Sequence, residues 1–156
     1  PRFLKTHWDS VQRGADSFGL KPDRSIWRIA RDVYVADTVE QARQEALEGT
    51  LGRDYRDFFL SLFKSMGRLD LVKTDPEMPD SDITLDYFAD NIWIVGGPEE
   101  VAAQLHDLYR EVGGFGVLLA MGHEWHPKDR WTKSMTLLIE EVMPMVNDLI
   151  ESDSSC

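Results

Sequence analysis

Cysteine is almost absent from this chain: its only one is Cys156, the last residue. One thiol cannot close an internal disulfide, and that usage fits a reducing cytoplasm. Basic residues are also in the minority. Seventeen Lys and Arg face 28 Asp and Glu, a formal net charge of −11. An acidic surface repels phosphate backbones and anionic lipids, which disfavours nucleic-acid and membrane partners. No apolar run approaches the roughly 18 residues of a membrane span. Low-complexity segments are missing, and no repeat is visible beyond strand–helix alternation. What is present is ordinary for a folded domain: 156 residues, 42% of them hydrophobic, enough for one core.

Leu4, Trp8, Val11, Ala15 and Phe18 recur at helical spacing, so residues 3–18 read as an amphipathic helix stopped by Gly19. Ile26 to Ala36 is rich in β-branched and aromatic residues and reads as a strand. Arg28 and Asp32 share one of its faces. They meet polar partners inside a barrel, or the strand is an edge with one wet face; the sequence leaves both open. Asp37, with Glu40 three residues on, looks like the N-cap of the next helix, which runs to Gly49. Tyr55, Phe58, Phe59, Leu62, Phe63 and Met66 form a large apolar stripe that has to bury. Residues 67–91 read as an acidic, irregular insertion with aspartates at 70, 75, 80, 82, 86 and 90. Ile92–Val95 is a short apolar run. Gly96-Gly97-Pro98-Glu99-Glu100 then opens a helix, with proline at its first position and acids toward the positive end of its dipole. Gly113-Gly114 ends that helix. Phe115 to Met121 has the unbroken apolar pattern of a buried parallel strand. A final helix carries Trp131, Met135, Leu138, Val142, Met145 and Leu149, with a kink or a restart expected at Pro144. Residues 151–156 read as a disordered tail.

The fold class is therefore α/β, helix-rich, with two long parallel strands near 26–36 and 115–121. Two such strands cannot hide their own edges or cover so many amphipathic helices. A (β/α)8 TIM barrel needs about 250 residues, so the chain is expected to be the C-terminal portion of such a barrel, spanning residues 1–150, or an oligomer that replaces the rest.

Several segments, in order, resemble the bacterial-luciferase-like flavin-dependent monooxygenases. They are WRIARDVYVADTVEQARQEALEG (Trp27–Gly49), NIWIVGGPEEVAAQLHDLYREVGGFGVLLAMGH (Asn91–His123) and RWTKSMTLLIEEVMP (Arg130–Pro144). LDLVKTDPEMPDSDIT resembles the insertion of a limonene-monooxygenase-like subgroup. Gly97 departs from the family pattern, which has Ser or Thr there. The resemblance implies that the two long strands are the seventh and eighth of the barrel. It also implies reduced FMN, usually supplied by a separate flavin reductase, and O2 as cosubstrates for oxidising a small organic molecule. The family's main flavin-phosphate contacts and its best-known catalytic histidine lie in the N-terminal half, so no catalytic residue carries over. An interaction scaffold, and a deazaflavin enzyme of the same fold, are the alternatives.

Active sites of these barrels lie at the carboxyl ends of strands. That places Asp37, His123, Glu124, Trp125 and His126 at a candidate substrate-pocket rim. A zinc site does not fit, because His123 and His126 are three apart and the metalloprotease pattern needs four. His7 and His106 read as surface residues. Gly96-Gly97 and Gly113-Gly114-Phe115-Gly116 read as a cap and a turn rather than phosphate loops. Unpaired strand edges and helix faces predict a homo-oligomer. Without the remaining strands, FMN is expected to bind weakly.

Overall fold

A computed structural model describes residues 2–154; Cys156 and the end of the expected tail lie outside the described residues. The first helix, α1 (Arg2–Ser17), ends before Gly19, whose φ of 67° suits a residue without a Cβ. Trp8 on α1 packs against Trp27 at 5.1 Å between ring centroids, and the Arg24 guanidinium lies 4.2 Å over the Trp8 ring.

The first long strand is shorter than its sequence suggests and is split. Asp23 caps a tight turn at Arg24–Ile26 by accepting from Ser25 N at 2.8 Å, which removes Ile26 from the strand. β1 (Arg28–Arg31) and β2 (Val33–Val35) follow, separated by Asp32. The split has a topological cause. β1 pairs in parallel with β4 (Val117–Ala120), register Arg28 to Val117. β2 pairs in parallel with β3 (Ile94–Gly96), register Val33 to Ile94. Met121 N donates to Arg31 O, whereas Ile94 N donates to Asp32 O. Adjacent carbonyls of an extended chain point to opposite edges. The segment therefore lies between β4 on one side and β3 on the other, offset along its length.

Thr38, not Asp37, caps α2 (Val39–Glu48): its side chain accepts from Gln41 N at 3.2 Å. Asp37 instead forms an ion pair with Lys133. The next helical stretch joins α3 (Thr50–Asp54), a wide π-type turn at Tyr55–Phe59 and α4 (Leu60–Ser65). Its apolar stripe is only partly covered. Tyr55 is buried and Phe59 and Phe63 pack on the core, but Phe58 and Met66 are 58% and 61% exposed. The wider turn changes the angular spacing, so the six side chains no longer share one face.

The acidic segment is more ordered than expected. Thr84 caps a helix, α5 (Leu85–Asn91), and the segment inserts Leu69, Val72, Ile83 and Phe88 into the core. Tyr87 Oη ties it together, donating to Val72 O at 2.8 Å and accepting from Thr74 N at 2.7 Å. Arg43 on α2 grips the far end through Asp86 and Asp90.

Gly97 and Pro98 open α6 (Pro98–Val112) as expected, and Gly113, with φ of 77°, closes it. The last helical stretch runs unbroken from α7 (Lys128–Leu137) through a π-type turn at Leu138–Val142 into α8 (Met143–Ser154). Pro144 lacks an N–H, and the wide turn just before it accommodates the missing bond where a kink or a restart of the helix was expected. Helix α8 continues to Ser154, beyond where the tail was expected to begin. Asp153 holds that end by pairing with His106 at 2.9 Å and Arg110 at 3.5 Å. His106 is correspondingly no surface residue; its side chain is 12% exposed.

The core divides into two clusters across the sheet. One gathers Ile29, Val33, Val35, Val101, Leu105 and Val142 under α6 and α8. The other gathers Tyr34, Ala36, Leu51, Tyr55, Phe88, Trp93 and Trp131 under α2, α3, α5 and α7. Arg28 and Ala30 on β1, Leu119 on β4 and Met121 just after it remain exposed. Among the described residues no helix is long and apolar enough to cross a membrane.

Candidate functional site

Asp32 interrupts the split strand, and His123 follows the carboxyl end of β4. The parallel pairing of β1 with β4 brings both to the same end of the sheet. His123 Nε2 donates to Asp32 Oδ1 at 2.8 Å, and Nδ1 donates to Asp54 Oδ2 at 2.9 Å. Asp54 ends α3, so three separate elements meet on one ring. The His123 side chain is only 7% exposed, Asp32 15% and Asp54 28%.

Burial alone would push the His123 pKa down. The hydrogen bonds to Asp32 and Asp54, and the charges of the same two carboxylates, outweigh burial and hold it above its ordinary value. Both ring nitrogens face carboxylate oxygens, which can only accept, and that arrangement favours the protonated ring. Burial works to raise the Asp54 pKa, but the hydrogen bonds from His123 and Arg53 prevail and keep it below the usual carboxylate value. Tyr55 Oη donates to the second Asp32 oxygen at 2.6 Å. Burial first, then the Asp32 charge and hydrogen bond, raise the Tyr55 pKa far above normal, so it stays protonated.

An aromatic bed fixes this cluster. Tyr55 contacts Phe59, Phe88 and Trp93 at centroid distances of 4.7 to 5.0 Å. The Trp131 ring lies 6.0 Å from His123, and its Nε1 donates to the buried Thr50 Oγ1 at 3.0 Å. Ser134, one turn along α7, accepts from the buried backbone N–H of Val35 at 2.8 Å. That hydroxyl stands where β4 has already ended, and it satisfies a donor on the strand edge that would otherwise be orphaned.

The five rim residues expected from the sequence do not form one group. His123 is at the centre. Glu124 accepts from Arg53 at 2.8 Å. Trp125 is 45% exposed. His126 turns away to line an open basin with Arg53, Arg56 and Arg130. Asp37, at the end of β2, pairs with Lys133 on α7. Asp54 and Tyr55 escape sequence reading, because one looks like a solvated helix acid and the other like part of an apolar stripe. The shared-face argument did raise Asp32, and the only further signal was its position opposite His123 once the strands pair in parallel. Among the described residues no group of three or more His, Cys, Asp or Glu side chains is disposed to hold a metal ion.

Parallel strands crossed back by helices, with charged side chains gathered at the strands' carboxyl ends, define an α/β protein of the kind that includes both barrels and open sheets. No profile of a known protein family matches the chain. Individual proteins do. The chain is 28% identical over 144 residues to 3,6-diketocamphane 1,6-monooxygenase of Pseudomonas putida, covering 92% of this chain and 38% of that protein. It is 30% identical over 145 residues to limonene 1,2-monooxygenase of Rhodococcus erythropolis, covering 92% and 35%. The solved structure of the oxygenating constituent of 3,6-diketocamphane monooxygenase of P. putida, a type II Baeyer-Villiger monooxygenase in complex with FMN, superposes with a TM-score of 0.84. That match has 29% identity and covers 90% of this chain and 39% of that one. The chain is thus related, in sequence and fold together, to the luciferase-like flavin-dependent monooxygenases. It spans about two fifths of the length of the curated relatives it matches.

Proposed function

We propose that the chain forms the C-terminal portion, residues 1–150, of a luciferase-like barrel that uses reduced FMN and O2 to oxidise a small organic molecule. The supporting observation is the parallel β1–β4 pairing, with the Asp32–His123–Asp54 cluster at its carboxyl end, in a chain that superposes on an FMN-bound monooxygenase. The names of the relatives suggest an alicyclic terpenoid ketone or alkene as substrate.

The residues present fit one wall of a flavin site. Ala30, Leu119 and Met121 leave an apolar patch open on the sheet, next to the ends of both strands, and an apolar surface suits a flat ring system. Bound reduced flavin supplies the activation of O2. This chain's own residues orient and exclude water. His123, gripped on both sides, is a fixed cation and no free base. Asp32 and Asp54 hold it, Tyr55 fixes Asp32, and the Trp131 ring lies beside it. Glu124 and Trp125 form the outer rim, with His123 at its inner edge, while Asp37 pairs with Lys133 and His126 faces the neighbouring basin. A separate flavin reductase supplies the cofactor, a homo-oligomer covers the exposed faces, and the protein works in the cytoplasm.

The test has two arms. The 156-residue chain, titrated with oxidised and reduced FMN, should show no micromolar binding; such binding would mean that the phosphate site is misplaced. The protein containing this sequence, given reduced FMN, O2 and a terpenoid ketone or alkene, should yield a product heavier by one oxygen. Oxidation that proceeds without flavin would overturn the reading.

A further inference from the structure

Beyond the cluster, an open basin of about 490 Å³ is lined by Glu48, Gly49, Thr50, Arg53, Arg56, His126, Pro127 and Arg130. Its charge is opposite to that of the rest of the molecule. Three of the chain's 17 basic side chains line it, in a protein with 28 acids and a net charge of −11.

The three arginines are not equivalent. Arg53 is already engaged by Asp54 and Glu124. Arg56 has no carboxylate partner among the described residues, and its one hydrogen bond is a long one, 3.5 Å, to Leu47 O. Arg130 touches Glu45 only through Nε, at 3.5 Å, and its two terminal nitrogens make no hydrogen bond among the described residues. Glu45 itself is occupied, accepting from Tyr34 Oη at 2.8 Å and Gln41 Nε2 at 3.2 Å. Glu48 is the only acid on the lining, and Gln44 reaches it at 3.3 Å. Arg56 therefore faces the basin without a carboxylate partner among the described residues, and Arg130, on another element, keeps both terminal nitrogens free while its Nε pairs with Glu45; His126 stands beside them. Like charges placed together repel, and an anion between them removes that repulsion.

We infer that this basin binds a phosphate-type dianion through Arg56 and Arg130, with His126 completing the rim. Guanidinium forks match the oxygen geometry of phosphate and bind it in a bidentate manner. The lining carries three guanidinium groups against one carboxylate, Glu48, and that surplus of positive charge suits a charge of −2 better than the single charge of a carboxylate. The basin connects to the cluster through Arg53, which lines it and pairs with Asp54, the residue that holds His123. FMN carries a phosphate monoester too, so the basin's affinity for a phosphate group alone is weaker than micromolar if the flavin titration above is to stay negative.

Isothermal titration of this chain at fixed ionic strength tests it, with inorganic phosphate, phenyl phosphate and benzoate as probes. Both phosphates should bind saturably at one site and more tightly than benzoate. Stronger binding of phenyl phosphate than of inorganic phosphate assigns the site to an organic ester; the reverse order assigns it to free phosphate. Arg56→Gln with Arg130→Gln should weaken binding at least about tenfold, the effect of losing charge-assisted hydrogen bonds. Arg13→Gln, on α1, should leave it unchanged. Amide shifts of Gly49 and Thr50 in the unaltered chain give a readout that does not depend on the variants' folding; they should move on adding phosphate. Benzoate binding as tightly, equal weakening by Arg13→Gln, unmoved amides, or no saturable binding would each overturn the assignment.

Discussion

Asp32 and His123 are separated by 91 residues of sequence and by 2.8 Å in space. Their contact links the break in one strand to the exit of another. Asp54 completes it from a helix, so the ring joins three elements, two of which are also linked by the neighbouring Arg53–Glu124 ion pair. A cation between two carboxylates, all largely shielded from water, is costly to disrupt on one side only.

His123→Ala should therefore destabilise the fold by on the order of 2 kcal/mol, below the full value for a buried pair because Asp54 is partly exposed. His123→Gln, which keeps hydrogen-bonding capacity, should lose less. Urea unfolding measures both. A loss under about 0.5 kcal/mol for the alanine variant, the range of ordinary surface changes, would mean that the cluster contributes little.

The same cluster sets a pH dependence on each side. The folded His123 pKa is raised, so its stabilisation is complete below the ordinary value of about 6.5 and is lost as pH rises through the folded value. The folded Asp54 pKa is lowered, so its contribution is present above about 3.9 and is lost as pH falls through its depressed value. Denaturation midpoints should fall on the alkaline side in the native protein and flatten there in His123→Gln. The His123 ring proton, followed by NMR, should titrate above the histidine norm. Titration below it would sink the account.

Ser134→Ala should cost about 1 to 3 kcal/mol, because it leaves the buried Val35 N–H without an acceptor. Hydrogen exchange at the Val35 amide should accelerate in the variant. An unchanged rate would show that water or another group takes over the bond.

Gly116→Ala probes the entry to β4. A Cβ there would lie 1.5 Å from Ser25 O, a backbone atom that cannot rotate away. The strand would have to leave the Arg24–Ile26 turn, and the pairing of Trp27 O with Gly116 N and Val117 N would open. Destabilisation of about 1 to 3 kcal/mol or more is expected, read as a drop in melting temperature. A variant as stable as the parent would show that the approach is looser than it stands.

Much of the fold was legible because period and punctuation are local. Gly113 stops α6, Pro98 starts it, and the apolar run does form a parallel strand at 117–120, although it is covered on one face only and Leu119 stays exposed where burial on both faces was expected. The two sites of greatest interest were not local. Asp32 on a strand and His123 in a loop looked like unrelated polar residues until parallel pairing put them at one end of the sheet. Asp37 and Thr38 compete for the same cap, and the sequence alone could not show that Lys133 would draw Asp37 aside. The stripe from Tyr55 to Met66 kept its helical spacing on paper, whereas a single widened turn divided it between core and water. The acidic segment hid a short helix, because its charges sit outside while Ile83 and Phe88 point in.

The strand interrupted at Asp32 behaves as two seams sewn to different fabrics. Its first half is zipped to β4 and its second to β3, and only one residue lies between them. Loosening the β4 seam exposes the amides of Ile29 and Arg31, yet leaves Tyr34 and Ala36 fastened to Ile94 and Gly96. Local opening events should therefore come in two classes with separate free energies, and the backbone on either side of Asp32 should report them independently.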